Sequence, residues 1–236
     1  MLARSSITEF IGAFFLVLTI GLVVKGDATD EPFLLAPIAI GSVLMVMVYM
    51  GGHISGGHYN PAVSLAVFLR GKISSRTFLA YIVAQCVAAI AASLIVYAIL
   101  GKTFAPAPGE GASLGAALLV EFLFTFALAL VVLNAATAPA TQGNSYYGLA
   151  IGFTVLVGAI AGGGVSGGAF NPAVGIGPIV VDAALGEGTL RHLWNYLVAP
   201  LAGGALAAYV FLYQNAIRPE APLESKPTAS KAVPVR

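Results

Sequence analysis

The chain has 236 residues, of which 58% are hydrophobic and 9% are charged, and its mean hydropathy is +0.92. Soluble domains carry about a quarter charged residues, so this composition excludes an ordinary soluble domain and predicts an integral membrane protein. The net charge of +1 gives no reason to expect a nucleic-acid partner. The first apolar run contains Glu9 and lacks the layout of a cleaved signal peptide, so we expect it to be a retained first span.

Six apolar runs are candidates for membrane-spanning helices, each of which needs about 20 mainly apolar residues. In chain order they cover residues 6–24, 34–50, 74–100, 113–133, 147–161 and 190–213. Two further apolar stretches, 61–69 and 172–184, are too short to cross a bilayer and are predicted to be half-helices. The sequence therefore predicts an all-α integral membrane protein with six transmembrane helices and two re-entrant half-helices.

Two glycine-rich segments precede the half-helices and nearly repeat each other. Each contains Ser-Gly-Gly and ends in Asn-Pro-Ala, at Asn60 to Ala62 and at Asn171 to Ala173. Asparagine is a preferred N-cap and proline fits the first helical position, so we expect each half-helix to begin at the proline. The glycines allow non-helical backbone, which is tolerated at membrane depth only where protein buries it or where it lines a watery cavity. Broken segments at matching places in two halves indicate a site near the membrane midplane.

The repeat extends beyond these segments. Glu9-Phe10 matches Glu121-Phe122, and Tyr81 matches Tyr196. Gly41 and Gly152 also match, and we expect them at a close helix crossing. Three spans and one half-helix make one repeat, and an odd number of spans inserts the second copy upside down. We predict one channel domain over residues 1–214, with inverted repeats at about 1–104 and 113–214 and a disordered cytoplasmic tail at 215–236.

The distribution of Lys and Arg predicts the orientation. If the N-terminus is cytoplasmic, the basic residues on the outer side are Lys25, Lys102 and Arg191. The basic residues on the cytoplasmic side are then Arg4, Arg70, Lys72, Arg76, Arg218, Lys226, Lys231 and Arg236. Both termini are thus predicted to be cytoplasmic, and we expect the protein in the cell membrane.

The paired Asn-Pro-Ala segments resemble those of the aquaporin family, the major intrinsic proteins, and the likeness covers most of the chain. The resemblance implies that Asn60 and Asn171 both donate hydrogen bonds to a passing water and so interrupt a proton wire. It also implies a ladder of backbone carbonyl acceptors and a homotetramer with one pore in each subunit. The residues expected to supply these carbonyls are Gly56, Gly57, His58, Tyr59, Gly167, Gly168 and Ala169.

The selectivity filter implied by the resemblance consists of Ile40, Ala159, Gly168 and Val174, and a slip of one residue would replace Ala159 by Gly158 or Ile160. Water-selective members usually carry Arg immediately after the second Asn-Pro-Ala, where this chain has Val174. In this respect the chain is more similar to plant tonoplast intrinsic proteins. The expected filter has no charge and no hydrogen-bonding side chain.

Glu9 and Glu121 are carboxyl groups inside apolar spans, where an unpaired charge costs about 2.5–3.5 kcal/mol or more. They are expected either to hold loop backbone N–H groups, as their symmetry and the resemblance favour, or to relay protons. His53 and His58 are expected to fix the first loop, and three scattered histidines predict no metal site. No cofactor is predicted.

The predicted function is a passive channel for water and for small neutral solutes such as ammonia, urea, glycerol or hydrogen peroxide. A secondary transporter of a small neutral solute remains the alternative, since inverted repeats and broken helices also build transporters. An intramembrane enzyme is disfavoured because no nucleophile lies beside a base. A structural membrane protein with a closed pore is a further alternative that the sequence does not exclude.

Overall fold

A computed structural model describes residues 2–26 and 35–216 of the chain. Six long helices have the length and apolar composition to cross a membrane, as predicted. They are α1 (Leu2–Lys25), α2 (Ala36–Ser55), α4 (Ser75–Leu100), α5 (Leu114–Val132), α6 (Tyr147–Ser166) and α8 (Asn195–Gln214). The half-helices are α3 (Pro61–Leu69) and α7 (Pro172–Leu185). No strand occurs within the described residues. The predicted tail lies outside them from residue 217 on, as does residue 34 of the predicted second span.

Short irregular elements complete the chain. One turn of π-helix, Leu133–Thr137, continues α5, and 3₁₀ turns lie at Pro139–Thr141 and Leu190–His192. The sixth predicted span therefore begins with a 3₁₀ turn, and its continuous α-helix starts at Asn195.

Both half-helices begin at the predicted prolines because the preceding asparagine caps them. Asn60 and Asn171 have extended backbone, and their side-chain oxygens accept the backbone N–H of Ala62 and Ala173 at 2.8 and 2.9 Å. The last turn of α3 ends with Gly71 in the left-handed region at φ +77°. At that end two crossed backbone bonds, Gly71 N–H to Phe68 and Lys72 N–H to Val67, form a Schellman motif.

The helices before the half-helices are longer than predicted. Helices α2 and α6 run to Ser55 and Ser166, whereas the sequence suggested ends near 50 and 161. The first glycines of each segment are helical and provide space for a ring. A Cβ atom on Gly51 would overlap the Tyr59 hydroxyl. Non-helical backbone is therefore confined to the few residues between Ser55 and Asn60, and to the matching stretch after Ser166.

The two repeats interlock. Within the repeats α1 packs on α4 and α5 packs on α8, whereas α3 packs on α8 and α7 packs on α4 of the other repeat. Helices α2 and α6 cross at the matched glycines, where a Cβ on Gly41 would lie 2.8 Å from the carbonyl oxygen of Gly152. The predicted close crossing is confirmed. Each half-helix is thus held by the opposite repeat, which brings the two Asn-Pro-Ala segments face to face.

Candidate functional site

The two asparagine side chains are joined to the opposite loop at the centre of the molecule. Asn60 Nδ2 donates to the carbonyl of Phe170 at 2.9 Å, and Asn171 Nδ2 donates to the carbonyl of Tyr59 at 3.0 Å. Each amide has two N–H groups, so one remains on each asparagine after these crossed bonds. Both side chains line a cavity of about 420 Å³. The two asparagines lie close together, as expected from the sequence. The sequence did not reveal that one N–H group of each side chain holds the opposite loop.

The N-termini of α3 and α7 face each other at this point. Each helix N-terminus carries about half a positive charge, because its first N–H groups have no intrahelical acceptor. The side-chain oxygens of Asn60 and Asn171 accept one of these N–H groups in each helix. Two such ends make a positive electrostatic maximum at the middle of the cavity.

The loops before the asparagines follow the same backbone path. Gly56, Gly57 and Tyr59 have φ values of +95°, +64° and +50°, and Gly167, Gly168 and Phe170 have values of +86°, +64° and +48°. Positive φ is unusual for the non-glycine residues Tyr59 and Phe170. Strain of this kind persists only where the surroundings enforce it. Here the enforcing contacts are the carboxylates described next.

Glu9 lies under the first loop with no exposed surface. Its Oε1 accepts the backbone N–H of His58 at 2.9 Å and the Ser55 hydroxyl at 2.6 Å. Its Oε2 accepts the backbone N–H of Tyr59 at 2.6 Å and Gln85 Nε2 at 2.8 Å. Four protein donors thus bind this carboxylate.

Glu121 holds the second loop in the same way. Its Oε1 accepts the backbone N–H of Ala169 at 3.0 Å and the Ser166 hydroxyl at 2.7 Å, and its Oε2 accepts the N–H of Phe170 at 2.6 Å. This carboxylate too has no exposed surface.

Four residues that the sequence reasoning did not assign to the site complete these two supports. The hydroxyls of Tyr81 and Tyr196 donate to the backbone carbonyls of Ser55 and Ser166 at 2.8 and 2.6 Å. Both serine hydroxyls also accept a loop backbone N–H at 3.1 Å. The signal was available, because the tyrosines match across the repeat and the serines belong to the repeated Ser-Gly-Gly.

The first half carries an additional polar network. Ser64 Oγ lies 3.1 Å from His58 Nδ1 and accepts from Gln85 Nε2 at 3.0 Å. The matching positions of the second half are Ala169, Gly175 and Pro200, which cannot form these bonds. His53 is exposed and lines a second cavity, so it takes no part in this network.

The four predicted filter residues line the same 420 Å³ cavity as the asparagines. Ile40 comes from α2, Ala159 from α6, Gly168 from the second loop and Val174 from the first turn of α7. The alternatives for the second position lie elsewhere. Gly158 is buried against Phe170, and Ile160 is 65% exposed on the outer surface.

The cavity has a further wall that the sequence did not indicate. Residues 104–107, between α4 and α5, also line it. A Cβ on Gly167 would lie 2.8 Å from the carbonyl oxygen of Ala107, and Gly109 N–H donates to the Val165 carbonyl at 3.0 Å. Phe104 anchors the segment, since a Cβ on Gly21 would lie 2.5 Å from its ring.

Six of the seven predicted carbonyl residues line one of the two cavities. Tyr59, Gly167, Gly168 and Ala169 line the first, Gly56 lines the second, and His58 lines both. Gly57 lines neither and packs on the backbone of Val48 and Gly52.

The second cavity, of about 620 Å³, opens at the other side of His58. Residues of the uncharged connection 134–145 form much of its wall, and Lys72 and His53 reach it from the first repeat. Hydrogen bonds fold this connection on itself, among them Asn144 Nδ2 to the carbonyls of Ala135 and Thr141. Within residues 2–26 and 35–216, no three His, Cys, Asp or Glu side chains gather where they could hold a metal ion.

The known proteins that are similar to this chain belong to one family. The family model described as "Major intrinsic protein" matches residues 1–211. The chain is 35% identical to "Aquaporin NIP1-4" of Oryza sativa subsp. japonica, over 87% of this chain and 74% of that one. It is 36% identical to "Glycerol uptake facilitator protein-like 6" of Lactiplantibacillus plantarum, over 87% of this chain and 95% of that one. It is also 36% identical to "Aquaporin TIP2-3" of Arabidopsis thaliana, over 88% and 86% of the two chains.

Among solved structures, the aquaglyceroporin of Plasmodium falciparum superposes with a TM-score of 0.80. The alignment covers 92% of this chain and 97% of that one at 24% identity, which supports the fold alone. The family match spans both Asn-Pro-Ala segments and nearly the whole described chain. The chain therefore belongs to the aquaporin family, the major intrinsic proteins.

Proposed function

We propose that the chain is a passive channel that conducts water and small neutral solutes and excludes protons and ions. The observation that carries this proposal is the pair of crossed asparagines in a cavity whose lining, within the described residues, includes no Asp, Glu, Lys or Arg. A secondary transporter would need a group that binds a coupling ion or proton at its site. Among the described residues, His58 is the one histidine that lines the cavity, and its Nδ1 lies 3.1 Å from the Ser64 hydroxyl, so the lining favours passive conduction over coupled transport.

Proton exclusion rests on the remaining N–H group of each asparagine. A water molecule between Asn60 and Asn171 accepts a hydrogen bond from both, so its own hydrogens point away from the centre. Such a water molecule cannot pass a proton to the next water molecule in the pore. The facing N-termini of α3 and α7 repel cations from the same place.

Solute selection rests on the filter of Ile40, Ala159, Gly168 and Val174. Their side chains offer neither charge nor hydrogen bonds, so polar contacts come from backbone carbonyls alone. A filter without the Arg side chain is wider and less polar than a water-only filter. It should admit ammonia, urea, glycerol or hydrogen peroxide as well as water, and the name of the bacterial relative supports glycerol.

The carboxylates of Glu9 and Glu121 serve this function as structural groups. Each accepts two consecutive backbone N–H groups and so fixes the loop whose next residue is the asparagine. Their burial separates them from solvent, which argues against a proton relay.

The assembly and placement of the channel are also part of the proposal. We infer one channel domain over residues 1–214 with inverted repeats at about 1–104 and 113–214, and a tail from 215 to 236. The family resemblance supports a homotetramer with one pore in each subunit. The distribution of basic residues supports cytoplasmic termini, and we place the protein in the cell membrane.

Stopped-flow light scattering on proteoliposomes tests the proposal. Wild type, Val174→Arg and the uncharged control Val174→Ile are compared for flow of water, urea, glycerol and ammonia. We expect fast water flow in all three and loss of solute flow in Val174→Arg alone. Solute flow that Val174→Arg leaves unchanged would contradict the filter assignment, and flow no faster than in empty liposomes would contradict an open channel.

A further inference from the structure

The end of half-helix α3 presents an arginine with an unusual environment. The guanidinium carbon of Arg70 lies 4.8 Å from the centre of the Phe211 ring on α8, and Phe211 is 1% exposed. The Nε atom of Arg70 is buried without a hydrogen-bond partner. Its two Nη groups also have no acceptor among the described residues, but they are not buried. The Phe211 ring therefore supports a planar fork of donors for which residues 2–26 and 35–216 supply no acceptor.

The backbone around Arg70 is rigid. Arg70 is the C-cap of α3, and the Schellman bonds of Gly71 and Lys72 fix the turn that follows it. The rings of Phe68 and Phe78 stack at 5.0 Å and attach this turn to the start of α4. The backbone that carries Arg70 is thus fixed, and the Phe211 ring on α8 supports its guanidinium.

The surroundings of Arg70 are strongly basic. Lys72 and Arg76 are exposed within the next six residues, and neither has an ion pair within the described residues. Apart from Glu9 and Glu121, the acidic residues of the described segments lie toward the opposite end of the molecule. Asp182 is in the last turn of α7, and the exposed Glu110 and Glu187 follow α4 and α7. The α3 end therefore combines concentrated positive charge with free planar donors, which suit a phosphate group.

The outer surface next to this site is suited to a lipid. The last two turns of α8 expose Tyr209, Leu212 and Tyr213 at 63%, 42% and 85%, on either side of the buried Phe211. Aromatic side chains of this kind are enriched where a membrane helix meets the headgroup region. Acyl chains could lie along α8 while the headgroup reaches Arg70. Basic sites between helices on the cytoplasmic side commonly bind such lipids.

We propose that Arg70, supported by Phe211 and by the field of Lys72 and Arg76, binds the phosphate of an anionic phospholipid. The Arg70 fork donates to the phosphate oxygens, and Arg76 adds attraction from the start of α4. Lys72 lines the second cavity and acts on the lipid through its charge alone. Arg70, Arg76 and Phe211 line neither of the two cavities, so the binding of a lipid there does not depend on which solutes pass.

Native mass spectrometry of the purified full-length channel tests the proposal. Retention of phosphatidylglycerol is compared with that of phosphatidylcholine for wild type, Arg70→Gln and Arg70→Lys. Arg191→Gln, an exposed arginine at the opposite end, is the matched control. A basic side chain near the membrane surface contributes about fivefold in affinity for anionic lipid. We expect Arg70→Gln to lose at least that factor for phosphatidylglycerol, Arg70→Lys to lose less, and Arg191→Gln to match wild type.

Other outcomes would overturn the proposal. Equal retention by Arg70→Gln and wild type would remove Arg70 from the site, and an equal loss in Arg191→Gln would indicate unspecific charge attraction. Inorganic phosphate is added as a separate arm. If millimolar phosphate displaces the lipid, the site binds soluble anions instead. If Arg70→Gln does not yield a monodisperse protein, Arg70→Lys decides, because it keeps the charge but lacks the stacked planar fork.

Discussion

The carboxylate of Glu121 can be tested by the smallest available change, Glu121→Gln. One carboxylate oxygen accepts the Ala169 N–H and the Ser166 hydroxyl, and the other accepts the Phe170 N–H. An amide supplies one acceptor and one donor. If it keeps its oxygen toward Ala169, its nitrogen meets the Phe170 N–H, donor against donor. Glu121→Gln therefore leaves one buried backbone N–H unsatisfied, and Glu121→Ala leaves two.

The structure gives the magnitude of this change. A buried donor left without its partner costs about 1–3 kcal/mol, so Glu121→Gln should lower the free energy of unfolding by about that amount and Glu121→Ala by about 2–6 kcal/mol. The carbonyl of Phe170 accepts the Asn60 amide, so movement of this residue also disturbs the centre of the pore. We expect water flow to fall along with stability.

Unfolding in mixed micelles titrated with a denaturing detergent measures the stability, and stopped-flow light scattering measures the water flow. Thr125→Val is the control, because Thr125 lies one turn further along α5 and its buried hydroxyl has no partner. Its replacement should cost little or nothing. Glu121→Gln with wild-type stability and water flow would refute the view that the carboxylate holds the loop.

Two further predictions concern the pore centre and the helix crossing. Asn171→Asp keeps the oxygen that caps α7 but removes the bond to the Tyr59 carbonyl and places a negative charge at the positive centre. We expect proton leakage, measured with a pH-sensitive dye inside proteoliposomes, and a wild-type proton flux would contradict the assigned role. Gly152→Ala places a Cβ atom against the Gly41 carbonyl, closer than any contact allows, and should destabilise the fold by about 1–3 kcal/mol. Gly115→Ala, which meets nothing nearer than 4.0 Å, serves as its control in the detergent titration, and equal stability of the two variants would refute a tight crossing.

The main elements of the fold could be predicted because local chemistry determines them. The Asn-Pro pairs give the starts of α3 and α7, since cap and proline act within one turn. The lengths of the apolar runs give the six spans. The glycines were less informative, because composition alone does not distinguish a glycine that ends a helix from a helical glycine that leaves space for an aromatic side chain. Gly51 lies inside α2, and it is a glycine because the Tyr59 side chain occupies the space of a Cβ atom, which is a tertiary contact.

The site was predictable only in part, for the same reason. The repeat placed Glu9 and Glu121 at equivalent positions, and the structure puts both beneath their loops. The wall formed by residues 104–107 faces Gly167 through a tertiary contact, which no local pattern in the sequence indicated. The crossed bonds of the asparagines depend on how α3 and α7 meet, which the sequence does not state.

Those crossed bonds have a consequence for biosynthesis. Asn60 and its acceptor Phe170 are 110 residues apart, and Asn171 and its acceptor Tyr59 are 112 apart. A ribosome adds about 5–20 residues per second, so the first loop waits on the order of 5–20 s for its partner. During that interval the early half-helix lacks both the opposite loop and α8, on which it packs. The pore centre is consequently among the last parts of the molecule to form, and a chain truncated before residue 170 contains half of the motif but no pore.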